Sequence, residues 1–135
     1  MKAFCLHLIV RLIGAIRPDT RSRLGKLIGS IAFYLPTRER TIALKQVELF
    51  LPEKDAKKIV KGMFANLGQT TLEALNVPPY MSSPSNRFSV NKPELVAKLL
   101  DDSRPIVALT AHTGNWDLMA AYMVATGAPL STVGK

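Results

Sequence analysis

Almost all the net positive charge of this chain lies in its apolar amino-terminal third. Residues 1–46 carry nine Lys and Arg against two acids, a net +7 out of +8, whereas residues 47–135 carry nine against eight. Cations set among apolar side chains suit a surface that is both anionic and oily, which describes a lipid headgroup layer. Nucleic acid, the competing polyanion, prefers a basic face with polar or stacking residues. Here Arg11, Arg17, Arg21, Arg23 and Lys26 are interleaved with Leu, Ile and Val instead. With 135 residues, 47% of them hydrophobic, the chain can bury one real core, and two independent domains are not expected.

The segment from Phe4 to Ile16 is apolar apart from His7 and Arg11. It falls short of the roughly 20 apolar residues a bilayer crossing needs. It also fails as a signal peptide, because Arg11 interrupts the hydrophobic region and no small-x-small cleavage pattern follows. A helix lying in the interface fits better: Arg11 and Arg17 reach toward headgroups while Leu6, Ile9, Val10, Ile13 and Ile16 face acyl chains. An ordinary buried amphipathic helix is the competing reading, and His7 reads as interfacial. Cys5 stands alone, so no intrachain disulfide and no Cys metal cluster can form, and it reads as a small apolar residue.

Pro18 and Asp19 end that segment, and Leu24, Leu27, Ile28, Ile31, Ala32 and Leu35 then recur at helical spacing until Pro36. Thr37 is placed to cap a basic helix from Arg38 to about Phe50, and Pro52, Glu53 and Asp55 read as the acidic first turn of a longer one. In that helix Ala56, Ile59, Val60, Met63, Phe64, Leu67, Ala74 and Leu75 form a core stripe opposite Lys54, Lys57, Lys58 and Lys61. From Asn76 to Asn86, Pro78-Pro79 and Ser82-Ser83-Pro84 predict an exposed connection without regular structure. Beyond it the pattern predicts an α/β region: a short strand at Phe88 to Val90, and a helix from Pro93 to near Asp101. A strand at Ile106-Val107-Ala108-Leu109 buried on both faces follows, then a helix from Trp116 to Thr126 closed by Gly127, and a strand at Leu130 to Val133.

His112 follows the apolar run at 106–109, and Thr113-Gly114-Asn115 turns the chain into the next helix. Loops at the carboxyl ends of strands are where ligands bind in an open sheet. With Asn115 as cap, Asp117 falls in the first helical turn, where the dipole favours a carboxylate that can hold one imidazole nitrogen and raise the basicity of the other. Spacing alone is weak evidence for that pair. A structural role, with His112 satisfying a carbonyl and Asp117 stabilising a helix start, remains the alternative. Gly134-Lys135 does not make a phosphate loop, since the spacing from Gly127 is wrong.

The run from Ile106 through His112-Thr113-Gly114-Asn115-Trp116-Asp117 resembles the lipid A biosynthesis acyltransferases, whose motif is His, four residues and an acid, usually within His-x-Gly-Asn-Trp-acid. Val47-Glu48-Leu49-Phe50-Leu51-Pro52-Glu53 and Phe64-Ala65-Asn66-Leu67-Gly68, followed by Glu73, resemble upstream segments of the same family. The family more often has Glu at the position of Asp117, and its members continue through further strands and a downstream Arg. The resemblance therefore implies an amino-terminal part of a longer, glycerolipid-acyltransferase-like α/β fold.

That resemblance implies transfer of a fatty acyl chain, not an aminoacyl group, from a thioester on acyl carrier protein or coenzyme A to a hydroxyl of a membrane glycolipid. A lipid A precursor is the expected acceptor, and another glycolipid such as a phosphatidylinositol mannoside the alternative. His112 would be the general base, Asp117 its orienting partner, and the amides of Gly114 and Asn115 donors to the developing oxyanion. No cofactor beyond the thioester co-substrate is implied. Residues 1–35 are expected to attach the chain to the cytoplasmic face of the bacterial inner membrane, and residues 36–135 to begin the acyltransferase domain. Glu73 is expected to be exposed or capping, and Trp116 to be a packing anchor. A non-catalytic module that binds membrane surfaces is the alternative from another class.

Overall fold

The computed structural model describes residues 10–82, 87–101, 104, 106–107, 109 and 113–131. The expectations for Cys5 and His7 and for the last residues, Gly134 and Lys135, lie outside them. The chain divides into two compact units, Met1–Asn76 and Val77–Lys135.

The first unit is built on three helices, α1 (Pro18–Ala32), α2 (Arg38–Phe50) and α3 (Ala56–Ala74), preceded by a helical turn at residues 10–15. Pro18 opens α1, where its missing N–H costs nothing and its fixed φ is already helical. Thr37 caps α2 as the sequence predicts, its Oγ1 accepting from the Arg40 amide at 3.2 Å. The third helix starts later than its Pro-acid signal implies. Asp55 is its cap rather than part of its first turn, with Oδ1 accepting from the Lys58 amide at 3.0 Å.

Helix α1 packs along α3 on a face that its apolar periodicity does not mark. Residues spaced four apart, Arg21, Gly25, Gly29 and Phe33, form the buried ridge, while Leu27, Ile28, Ile31 and Leu35 are exposed. Backbone contact is the reason. A Cβ added at Gly25 would lie 2.5 Å from the Gly68 carbonyl oxygen and 2.7 Å from the Gln69 Cα. One added at Gly29 would overlap the Phe64 carbonyl, and one at Gly68 the Gly25 carbonyl. Three glycines thus let two helices meet main chain to main chain, and large side chains are forced off the contact. Beyond it, Phe33 meets Tyr34 and Phe64 edge-to-face at centroid distances of 5.4 and 6.0 Å. Arg40 lies 4.9 Å above the Phe33 ring.

Arg21, grouped by the sequence with the lipid-facing cations, has 0% of its surface exposed. Its guanidinium donates from Nη1 to the Asn76 carbonyl at 2.9 Å and from Nη2 to those of Ile16 and Gly14 at 2.8 and 3.2 Å. Asn76 adds a bond from Nδ2 to the Gly14 carbonyl at 2.9 Å. Glu73 also departs from expectation. It is 6% exposed, and its Oε1 accepts from Ser22 Oγ at 2.6 Å and Gln69 Nε2 at 2.7 Å. The α1 ridge ends in charge because the carbonyls that end the helical turn at residues 10–15 and α3 need donors there.

The second unit corrects the α/β expectation. It contains α4 (Pro78–Met81), α5 (Pro93–Asp101) and α6 (Trp116–Ala125), and no strand occurs among the described residues of either unit. Residues 88–90, 106, 107, 109, 130 and 131 are irregular, and Val107 and Leu109 are 87% and 95% exposed, the opposite of a strand buried on both faces. A strand exists only when a neighbour takes its amides and carbonyls, and none of the described residues in these apolar runs is paired in a ladder. Pro78-Pro79 also does more than break structure: the two prolines occupy the first turn of α4, which carries buried Tyr80 and lies against α6. Helices α5 and α6 begin where Pro93 and Asn115 predict. Among the described residues no helix is long and apolar enough to cross a membrane.

Two substitutions test this arrangement by urea denaturation. Gly29→Leu should cost at least about 3 kcal/mol, because the added side chain meets backbone that cannot move aside. Arg21→Met keeps the length but removes every donor, and should cost about 3 kcal/mol, against less than about 0.5 kcal/mol for exposed Arg23→Met. Equal effects of the two Arg→Met changes would refute the buried role.

Candidate functional site

Three of the motif residues, Gly114, Asn115 and Asp117, gather at the start of α6. Gly114 has φ +64°, in the left-handed region, with nothing within 4 Å of where a Cβ would stand, so glycine is required there by backbone geometry and not by crowding. The turn delivers Asn115 as the cap. Its Oδ1 accepts from the Leu118 amide at 3.2 Å, and its carbonyl accepts from the Met119 amide at 3.1 Å.

Asp117 is the second residue of α6 and is exposed, so its carboxylate stands where the helix dipole favours negative charge and where a neighbouring group can reach it. Leu118, next in sequence, points the other way and is buried. The structure therefore brings Gly114, Asn115 and Asp117 together within one capped turn. His112 lies outside the described residues. Trp116, expected to be a packing anchor, keeps 45% of its surface exposed.

One feature of this region had no motif to announce it. The flank of α6 formed by Leu118, Tyr122 and Met123 faces Phe88, Val90 and Val96 across an open groove of about 470 Å³, and Asn115 lies at its rim. Phe88 and Tyr122 meet with ring centroids 5.1 Å apart at a 41° tilt. In sequence the Phe88-Ser89-Val90 alternation predicts a strand, and the apolar residues of α6 look like ordinary core. Their shared cavity depends on a chain path that no local pattern encodes.

No protein of curated function and no solved structure shows significant similarity to the chain. The family model for bacterial lipid A biosynthesis acyltransferases matches residues 2–135, taking in all three helices of the first unit as well as the capped turn with Gly114, Asn115 and Asp117. A match of that extent, with the motif seated at a capped helix start, establishes that this chain belongs to the bacterial lipid A biosynthesis acyltransferase family.

Proposed function

We propose that the chain serves the transfer of a fatty acyl group from a thioester, on acyl carrier protein or coenzyme A, to a hydroxyl of a lipid A precursor. Family membership supports acyltransferase activity in general. The observation that carries the finer reading is the exposed Asp117 carboxylate in the first turn of a helix capped by Asn115. In this reading His112 removes the proton of the acceptor hydroxyl, and Asp117 holds the imidazole tautomer that leaves the attacking nitrogen basic. The hydroxyl oxygen then adds to the thioester carbonyl. The amides of Gly114 and Asn115, at the positive end of α6, stabilise the resulting oxyanion until the thiolate departs and takes the proton back from His112. The reaction needs no acyl-enzyme.

The chain's exposed surface supports attachment to the cytoplasmic face of the inner membrane. Leu27 and Ile31 of α1 keep 56% and 58% of their surfaces exposed, beside exposed Arg23 and Lys26. Apolar insertion combined with headgroup contacts accounts for side chains that the glycine contact turns away from the protein interior.

With an acyl thioester donor and a lipid A precursor as acceptor, His112→Ala should lower turnover by roughly 10²-fold to 10⁴-fold. Asp117→Asn should also be impaired, while Asp117→Glu retains much of the activity. A well-folded His112→Ala protein with normal transfer would end the assignment.

Vesicle flotation checks the attachment. Leu27→Asp with Ile31→Asp should weaken binding to anionic vesicles at least about tenfold, and rising salt should weaken the unaltered chain without abolishing its binding. Unchanged flotation of the double variant would remove α1 from the membrane contact.

A further inference from the structure

The first two turns of α3 carry a row of cations that neither acyl transfer nor the α1 membrane contact uses. Lys54 precedes the helix, and Lys57, Lys58 and Lys61 follow at steps of three, one and three residues, so the four exposed side chains share one side. Farther along α3, Ala65 and Gly68 lie on that same side, and α1 covers them with Gly29 and Gly25. Helix α1 ends at Ala32, and Tyr34 just past it reaches Lys61, whose Nζ donates to the Tyr34 hydroxyl at 2.8 Å. Before Lys61, the packing side of α3 continues with no α1 over it.

This row costs stability in the helix that carries it. Lys57 and Lys58 stand in the first turn, where the dipole disfavours cations, and no acid shares that turn. Lys61 follows Lys57 by four residues and Lys58 by three, spacings at which like charges repel. Asp55 spends its Oδ1 on the Lys58 amide, and among the described residues no carboxylate pairs with Lys54, Lys57 or Lys58. Local rules are broken in this way at functional surfaces, and a partner of opposite charge would relieve the repulsion.

The exposed neighbours of the row favour a protein over a lipid surface. None of the exposed residues from Glu53 to Gly62 is apolar, so nothing there inserts among acyl chains, whereas on α1 Leu27 and Ile31 accompany Arg23 and Lys26. The exposed Leu49, Phe50 and Leu51 lie on the other side of Pro52, at the end of α2. The row is about 10 Å long, two turns of helix, and its match is a second helix bearing carboxylates at the same spacing. Acyl carrier protein, one of the two donors in the acyl-transfer reading, is small, helical and acidic. We propose that this side of α3 docks an acidic helix of that carrier while it presents the thioester. The assignment rests on the acyl-transfer reading above. Several exposed charge pairs speed encounter and weaken as salt rises, which suits a donor that must leave after each transfer.

Fluorescence anisotropy of the whole chain with labelled apo acyl carrier protein, which bears no thioester, reads docking apart from chemistry. Lys57→Glu with Lys58→Glu should weaken binding at least about tenfold and flatten its salt dependence. The same pair puts acids into the first turn of α3, so its urea midpoint should rise, and lost binding cannot then come from unfolding. Arg23→Glu with Lys26→Glu on α1 should leave carrier binding intact. In vesicle flotation the two pairs should exchange roles, with only the α1 pair losing anionic vesicles. Unchanged carrier binding by the α3 pair, or no binding by the unaltered chain, would overturn the docking surface. Loss of vesicles instead of carrier by the α3 pair would overturn it too, by assigning the row to lipid. His112→Ala separates the two readings: abolished transfer with intact carrier binding supports both, and normal transfer with intact carrier binding removes the general base while leaving the docking surface.

Discussion

The contact of α1 with α3 at Gly25, Gly29 and Gly68 governs the rest of the first unit. Helices carrying ordinary side chains pack with axes 8–10 Å apart, and these two meet backbone to backbone because the contact has no Cβ atoms. Once that ridge is fixed, the 3.6-residue period settles the fate of every other position in α1. Arg21, one turn before Gly25, must be buried, and Leu27 and Ile31 must face outward. An arrangement that buried the leucines would leave the glycines on the surface, where they contribute no packing and cost helical stability. The exposed apolar side chains are thus a consequence of how the unit is held together.

A buried guanidinium needs acceptors, and the two terminal nitrogens of Arg21 find three carbonyls. Arg21 spans the Gly14 and Ile16 carbonyls at the end of one helical segment and the Asn76 carbonyl at the end of the unit, points separated by about sixty residues in sequence. The neighbouring Ser22 brings Glu73 into the same interior, where Gln69 supplies its second donor. Hydrophobic burial is non-directional and would allow α1 to slide on α3, whereas charge-assisted hydrogen bonds have a narrow range of distance and angle. The polar end fixes the register that the glycines allow.

The sequence disclosed what depends on neighbours and hid what depends on partners. Thr37, Pro93 and Asn115 announce their helix starts because a cap acts over three residues, and Asp117 follows into its turn for the same reason. The strands expected at 88–90, 106–109 and 130–133 were inferred from apolar runs, but a run shows only that side chains avoid water and says nothing of who would pair with the backbone. The face that α1 buries is hidden for a related reason. Periodicity of hydrophobic residues is blind to glycine, so the stripe of Leu24, Leu27, Ile28 and Ile31 outweighed the ridge of Gly25 and Gly29 that makes the contact. Arg21, interleaved with apolar residues, reads as a headgroup contact and Glu73 as exposed or capping, and only their three-dimensional donors and acceptors explain their burial.

Helix α6 shows how one short element can join a polar turn to an apolar flank. Its first turn is polar by construction, since Gly114 supplies the left-handed turn, Asn115 the cap and Asp117 a carboxylate stabilised by the helix dipole. On another flank, Leu118, Tyr122 and Met123 face a groove with no charged lining residue. Because Asn115, Asp117 and the apolar flank follow one another along one helix, their spacing is set by the helical rise.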